Sequence, residues 1–323
     1  MNFILSEMTF LRYYAPLVAE GNSRGIKSKF FILGNHKYNN PLAFQDQLKE
    51  FCKENQVEMY ELEDIKDHFG VTFTIEGMWA GMTKLEDPRN TMVSLTYMTD
   101  FYPLYDNYID VVDHVIMPSR YFADYLGYHG PKNLYLGSPK YDVTLDKNEI
   151  ISKYGLSNNK KALFIAPRLR DTDRVDILRL YEILREQGFD VVVKTRGKDP
   201  IRREPYRGDY YFADDCWFPH TSMELLAVSD LVINFSSSAI KEAVLLKKPV
   251  INFHIKPFKM PLEYLYDYEY CEVFGNEINE KDIKNAINRL TTSDFNDIFD
   301  KVIKDFLFTG NSSKRILDHL GLK

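Results

Sequence analysis

Apolar residues in this chain fall into short runs, each closed by a polar turn and followed by a stretch where they recur every three or four positions. That alternation is the pattern of buried parallel strands joined by amphipathic helices. Asn2 to Leu5 reads as a buried strand and Phe10 to Glu20 as the helix after it, with Gly25 helping to end that helix. Lys29 to Leu33 is a second strand, with GNHKYNNP as its turn. Ala43 to Asn55 is helical, with Phe44, Leu48 and Phe51 at i, i+4 and i+7. Val71 to Ile75 is another strand. Thr91 to Tyr97 and Val111 to Met117 follow as apolar runs, with a short aromatic helix or turn from Tyr102 to Tyr108 between them. The pattern predicts a doubly wound α/β sheet.

The character changes in LYLGSPKYDVTLDKNEIISKYGLSNNK, where Gly137, Pro139 and many charges mark a linker near 140 to 160. From Ala162 the alternation restarts: strand ALFIA, a helix from Val175 to Gln187, strand FDVVVK, helix SMELLAVS, strand LVINF, helix AIKEAVLL and strand PVINF. Gly188 is the expected stop before a strand. DIKNAINRL, FNDIFDKVIKDFLF and KRILDHLGLK read as amphipathic helices, the last placed to cross back onto the first domain. The expected organisation is two domains, 1–145 and 146–323, the second carrying the terminal helices.

Composition narrows the picture. A chain of 323 residues is longer than one small core needs, which agrees with two domains. The formal net charge of -6 argues against a nucleic-acid coat. Cys52, Cys216 and Cys271 are widely separated and odd in number, so neither a disulfide framework nor a paired metal motif is suggested, and a reducing, cytoplasmic setting fits. The amino terminus lacks a basic leader and reads as strand and helix, not as a signal peptide. No run reaches the roughly 20 apolar residues of a membrane span, which leaves peripheral membrane contact open. The pattern does not address oligomeric state.

The densest chemistry lies in DLVINFSSSAIKEAVLLKKPVINFH, Asp230 to His254. It places Ser236, Ser237 and Ser238 between a strand's carboxyl end and a helix, where hydroxyls and N–H groups suit a phosphate; helix capping is the plain alternative. Three more loops of the second half offer cations or hydroxyls. Arg168 and Arg170 follow ALFIA, Lys194 and Arg196 follow FDVVV, and His220, Thr221 and Ser222 open a helix, with Glu224 set for a capping pattern. Arginine's fork matches phosphate oxygens and lysine adds a point charge. Glu242 could take both hydroxyls of a ribose, or sit exposed beside Lys241 or Lys247. The chain has neither GxGxxG nor GxxxxGK[ST], which disfavours nicotinamide dehydrogenases and phosphate-loop ATPases.

On these motifs the second half resembles the nucleotide-sugar glycosyltransferases of the GT-B fold. More closely, it resembles the glycerophosphotransferases that use CDP-glycerol in wall-polymer synthesis. IAPRLRD matches their proline-and-arginine loop at Pro167, Arg168 and Arg170. SDLVINFSSSAIKEAVLLKKPVINF matches their aspartate, strand and paired serines, and GSPKYD, Gly137 to Asp142, matches their linker. The likeness covers about 111 to 254. It implies a GT-B-like α/β fold with two Rossmann-like domains facing a central cleft, a donor nucleotide on the second domain and an acceptor on the first. Those transferases carry a His-Gly-Thr-like loop and a His-Pro where this chain reads MWAGMTK and TRGKDP, both without histidine. That departure favours sugar transfer over glycerophosphoryl transfer. The related nucleotide-sugar 2-epimerases share the serine-and-glutamate layout.

An inverting sugar transferase needs a base for the acceptor hydroxyl and positive charge for the leaving diphosphate. Three first-half carboxylates stand after strands: Glu76, then Asp100, then Glu7, each with a turn or capping role as its alternative. Glu76 leads because the adjoining GMWAGMTK loop offers room and an aromatic. No H-E-x-x-H or close Cys/His set is present, so no metal is expected, and DTD at Asp171 to Asp173 reads as the cap of the next helix. The expected activity is metal-independent transfer from a nucleoside-diphosphate sugar to a glycan or polymer, with no tightly bound cofactor. The alternatives are a CDP-glycerol glycerophosphotransferase, a nucleotide-sugar 2-epimerase or hydrolase, and a non-catalytic nucleotide- or glycan-binding protein. Transfer needs donor and acceptor, epimerisation needs donor alone, and a binding module consumes neither.

Overall fold

A computed structural model describes residues 1–34, 40–76, 85–97, 105–196, 199–213, 217–254, 263–307 and 310–323. The chain divides into two compact units, Met1–Val143 with Lys304–Lys323, and Thr144–Ile303. The division therefore differs from 146–323 at its far end, because the last segment packs with the first unit.

In the first unit, seven parallel strands stand in the order β3-β2-β1-β4-β5-β6-β7. They are β1 (Asn2–Leu5), β2 (Ser28–Ile32), β3 (Val57–Glu61), β4 (Gly70–Ile75), β5 (Asn90–Leu95), β6 (His114–Met117) and β7 (Asn133–Tyr135). The helices are α1 (Leu11–Ser23), α2 (Gln45–Glu54), α3 (Tyr105–Tyr108) and α4 (Arg120–Leu126). Parallel pairing forces each connection to cross a face of the sheet, so the inner strands are buried on both sides and read as continuous apolar runs. Aromatic rings fill this core. Phe3 stacks on Phe73 at 5.1 Å and meets Phe30 edge-on at 5.6 Å, while the Tyr14 hydroxyl donates to the Ile4 carbonyl.

The second unit repeats the design with six parallel strands in the order β10-β9-β8-β11-β12-β13. These are β8 (Lys160–Ile165), β9 (Phe189–Lys194), β10 (Tyr210–Phe212), β11 (Leu231–Asn234), β12 (Val250–Phe253) and β13 (Cys271–Phe274). Around them lie α5 (Lys147–Tyr154), α6 (Ile177–Glu186), α7 (Thr221–Val228), α8 (Ile240–Leu245), α9 (Glu280–Thr292) and α10 (Asn296–Val302). The chain then passes through a π-turn, Ile303–Leu307, and ends in α11 (Ser312–His319) of the first unit. Ile316 and Leu317 of α11 are fully buried, and Arg24, at the carboxyl end of α1, bonds Asp318 and the Leu322 carbonyl.

Strand order reverses once in each sheet, between β1 and β4 and between β8 and β11. At such a reversal the connections leave to opposite faces, which opens a crevice at the carboxyl ends of the two strands. No helix among the described residues is long and apolar enough to cross a membrane.

Candidate functional site

The loops after β8, β9 and β11, on either side of the reversal in the second sheet, carry most of the predicted binding residues. After β8 the backbone turns through Ala166, whose φ is +55, into Pro167 and Arg168. The loop after β9 is stitched to this one: the Thr195 hydroxyl and the Arg196 N–H both donate to the Pro167 carbonyl, at 3.0 and 3.1 Å. Leu169 N–H in turn donates to the Asp199 carbonyl at 3.1 Å. Arg168 and Arg196 are half-buried in these loops, and Arg170 is exposed. Lys194, the last residue of β9, is buried, and its ammonium lies 3.4 Å from the Thr195 carbonyl.

Asp171 holds the first loop closed. Its carboxylate accepts the Arg168 N–H at 2.7 Å while its own N–H returns to the Arg168 carbonyl at 2.9 Å. Burial pushes its carboxyl up to about 6, against the pull of Arg170, Arg174 and Arg196. The DTD segment does not cap α6 as expected. Asp176 does, accepting the Arg179 N–H at 3.0 Å, because it stands at the turn into the helix.

Across the reversal, β11 ends in Asn234 and the chain turns sharply at Ser236, with φ at +49. The Ser236 N–H donates to Asn252 Oδ1 at 3.0 Å and its hydroxyl to the Phe253 carbonyl at 3.2 Å. Ser237 Oγ accepts the Ala239 N–H at 3.4 Å, and Ser238 is exposed. Glu242 on α8 is buried, and Lys247 bonds Asp300, at 2.7 Å. His220 is buried at the start of α7 and makes no side-chain cap there. Glu224 is no capping residue either: its carboxylate accepts the Lys153 ammonium at 2.9 Å and the Tyr154 hydroxyl, tying α7 to α5.

The first sheet brings two of the three candidate bases to its own reversal. Glu7 stands two residues past β1 and Glu76 one residue past β4, and both are buried. Glu76, with φ at +46, accepts the Tyr97 N–H on Oε1 at 2.7 Å and donates its own N–H to Ser94 Oγ at 3.0 Å. Glu7 accepts the Thr9 hydroxyl at 2.9 Å. Tyr97 lies edge-on to Phe10 and Tyr13, at 5.9 and 5.8 Å. Asp100 and the MWAGMTK loop lie outside the described residues. A groove of about 360 Å³ lined by Glu86, Asp87, Asn90, Asp113 and His114 opens at the amino ends of β5 and β6, the opposite edge of the sheet from Glu7 and Glu76.

Sequence reasoning missed Asp171 as a loop anchor, and missed Asn234 and Asn252. A signal for the asparagines was present: VINF occurs twice, at 232–235 and 250–253, and in each case puts a polar residue in an otherwise apolar run. The linker motif GSPKYD turns out to hold the C-terminal helix. Asp142 accepts the N–H groups of Ser312 and Ser313 at 3.0 and 2.5 Å.

No family model matches the chain, and no curated protein matches it. Solved structures do match over nearly its whole length. The wall teichoic acid polymerase TagF, soaked with CDPG, aligns over 99% of this chain and 88% of its own at 14% identity and a TM-score of 0.69. The chain has the GT-B fold. The UDP-GlcNAc 2-epimerase of Neisseria meningitidis, bound to UDP-GlcNAc, aligns over 100% and 99% of the two chains at 13% identity and a TM-score of 0.64. MnaA of S. aureus, with UDP, aligns over 100% and 97% at 12% identity and a TM-score of 0.54. At these identities the likeness is one of fold.

Proposed function

We propose that the second unit binds a nucleoside diphosphate and that the protein transfers the sugar it carries to a glycan or polymer hydroxyl. The observation that carries this reading is the placement of Arg168 and Arg196 on two loops bonded to each other, beside the Ser236–Ser238 turn, where strand order reverses. Two guanidinium groups offer the fixed positive charge that a leaving diphosphate needs, without proton transfer. Glu242 is assigned to the ribose, and Glu76 to the acceptor proton, with Asp100 and then Glu7 as the alternatives. Solved proteins of the same fold with CDPG, UDP-GlcNAc and UDP support the ligand class. A second reading, glycerophosphoryl transfer from CDP-glycerol, draws on the likeness of fold to TagF soaked with CDPG.

Calorimetry with CDP and UDP tests the site. Arg168→Ala and Arg196→Ala should each weaken binding by about 1.5 to 3 kcal/mol, or about 10- to 150-fold. An unchanged affinity removes that arginine from the site, and wild-type protein that binds neither nucleotide overturns the reading. Product analysis with a nucleotide sugar or CDP-glycerol, with and without a polyol acceptor, then separates the two transfers. Conversion of the donor alone would instead mean epimerisation or hydrolysis.

A further inference from the structure

We infer that Asn234 and Asn252 are positioning residues that set the Ser236 turn through a hydrogen bond of fixed direction; the ligand side of this inference rests on the nucleotide reading above. The two asparagines are register partners on adjacent strands β11 and β12, and both are fully buried. Asn252 Oδ1 is the hub. It accepts the Ser236 N–H and Asn234 Nδ2, each at 3.0 Å. Asn234 Nδ2 also lies 3.3 Å from the Ser237 carbonyl and 3.3 Å from the Tyr266 hydroxyl.

A backbone N–H can only donate, so the Ser236 bond requires an oxygen on Asn252 at that place. That oxygen in turn requires the NH₂ group of Asn234 to face it. The pair is therefore asymmetric in chemistry although it is symmetric in residue type. Asn252 acts as acceptor and Asn234 as donor. Asn252 Nδ2 and Asn234 Oδ1 have no partner among the described residues. The turn needs this support because Ser236 occupies left-handed backbone space that side chains other than glycine's resist. A bond from a buried strand end holds that conformation from beneath and leaves the exposed Ser238 on the outside.

The direction of the bond gives the test. Asn252→Asp keeps an oxygen acceptor for both donors and replaces the unpartnered Nδ2 with a second carboxyl oxygen, whose buried charge has its own cost, so it should weaken CDP or UDP binding several-fold less than Asn234→Asp does. Asn234→Asp sets an acceptor against an acceptor, so it should weaken binding by about tenfold or more. A role in packing alone would treat the two isosteric changes alike. Asn252→Leu keeps the volume and removes the acceptor, so it should behave like Asn234→Asp, and it stands in if that variant fails to fold.

Hydrogen exchange at the Ser236 amide, measured without nucleotide, supplies a readout that does not depend on the ligand. It should quicken in Asn234→Asp and Asn252→Leu and stay slow in Asn252→Asp. Equal effects of the two aspartates, or an Asn252→Leu variant with wild-type affinity and exchange, would overturn the inference. Wild-type protein that binds no nucleotide would defeat the ligand reading, while the exchange data would still decide the role of the pair.

Discussion

Asp171 shows how burial can couple one carboxyl to a neighbouring set of cations. Its folded value of about 6 lies above its ordinary 3.8, so the native state holds the proton more tightly than the unfolded chain. The ionised form thus costs stability above pH 6, and that cost fades as pH falls through 6 towards 4. Neutralising Asp171 also leaves Arg170, Arg174 and Arg196 with less opposing charge. Affinity for a diphosphate diester, whose phosphates stay ionised throughout, should rise about two- to tenfold from about pH 7.5 to about pH 5.5. Asp171→Asn keeps an acceptor for the Arg168 N–H and should flatten that profile; calorimetry at constant ionic strength that finds the slope unaltered would free Asp171 from this role. Glu76 allows an equally clean substitution. A glutamine carbonyl can still accept the Tyr97 N–H, so Glu76→Gln separates the turn from the base. Turnover should fall about 100-fold or more with donor affinity held, and the acidic limb of the pH profile should vanish. Full activity would pass the role to Glu7 or Asp100. The arginines and serines of the site were legible because charge and hydroxyls at strand ends stand out. Asn234 and Asn252 were not, because an uncharged amide shows its purpose only once its strand neighbour is known.

At the scale of elements, legibility followed burial. The inner strands β1, β2, β4, β5, β6, β8, β9, β11 and β12 are largely buried and could be read as apolar runs. The edge strands β3, β7, β10 and β13 could not. β3 buries only Val57 of its five residues, and all three residues of β10 are half-exposed, so neither leaves an apolar run in the sequence. Helix starts were misplaced where a polar side chain had two uses. Asp176 takes the cap that DTD was expected to make, and Glu224 spends its carboxylate on α5, which a helix-local pattern cannot reveal. The segment FNDIFDKVIKDFLF read as one helix, yet it changes to a π-turn at Ile303, where the chain leaves the second unit for the first. Amphipathic spacing reports a helix's apolar face and is silent on which core receives it.

The whole molecule is two compact units made from three chain segments, and that has an experimental consequence. Everything in the second unit, from α5 through β13 to α10, lies in the single stretch Thr144–Ile303. This fragment should fold alone and bind CDP or UDP with the affinity of the full chain. The stretch Met1–Val143 should not fold alone, because it lacks α11. Burying Ile316 and Leu317 contributes about 3 to 6 kcal/mol, and the Asp142 cap on Ser312 and Ser313 about 1 to 2 more. Arg24 and Arg315 add bonds to Asp318, to the Leu322 carbonyl and to the Leu136 carbonyl. Set against a domain stability of about 5 to 15 kcal/mol, losing that helix removes a large part of what keeps the first unit folded. Supplying 304–323, as a fused tail or as a free peptide, should restore a cooperative melt, read by circular dichroism. A fragment 1–143 that melts cooperatively and unchanged without the tail would show that α11 is dispensable to the first unit. A fragment 144–303 that folds yet binds no nucleotide, beside a full chain that does, would show that residues outside the second unit complete the donor site.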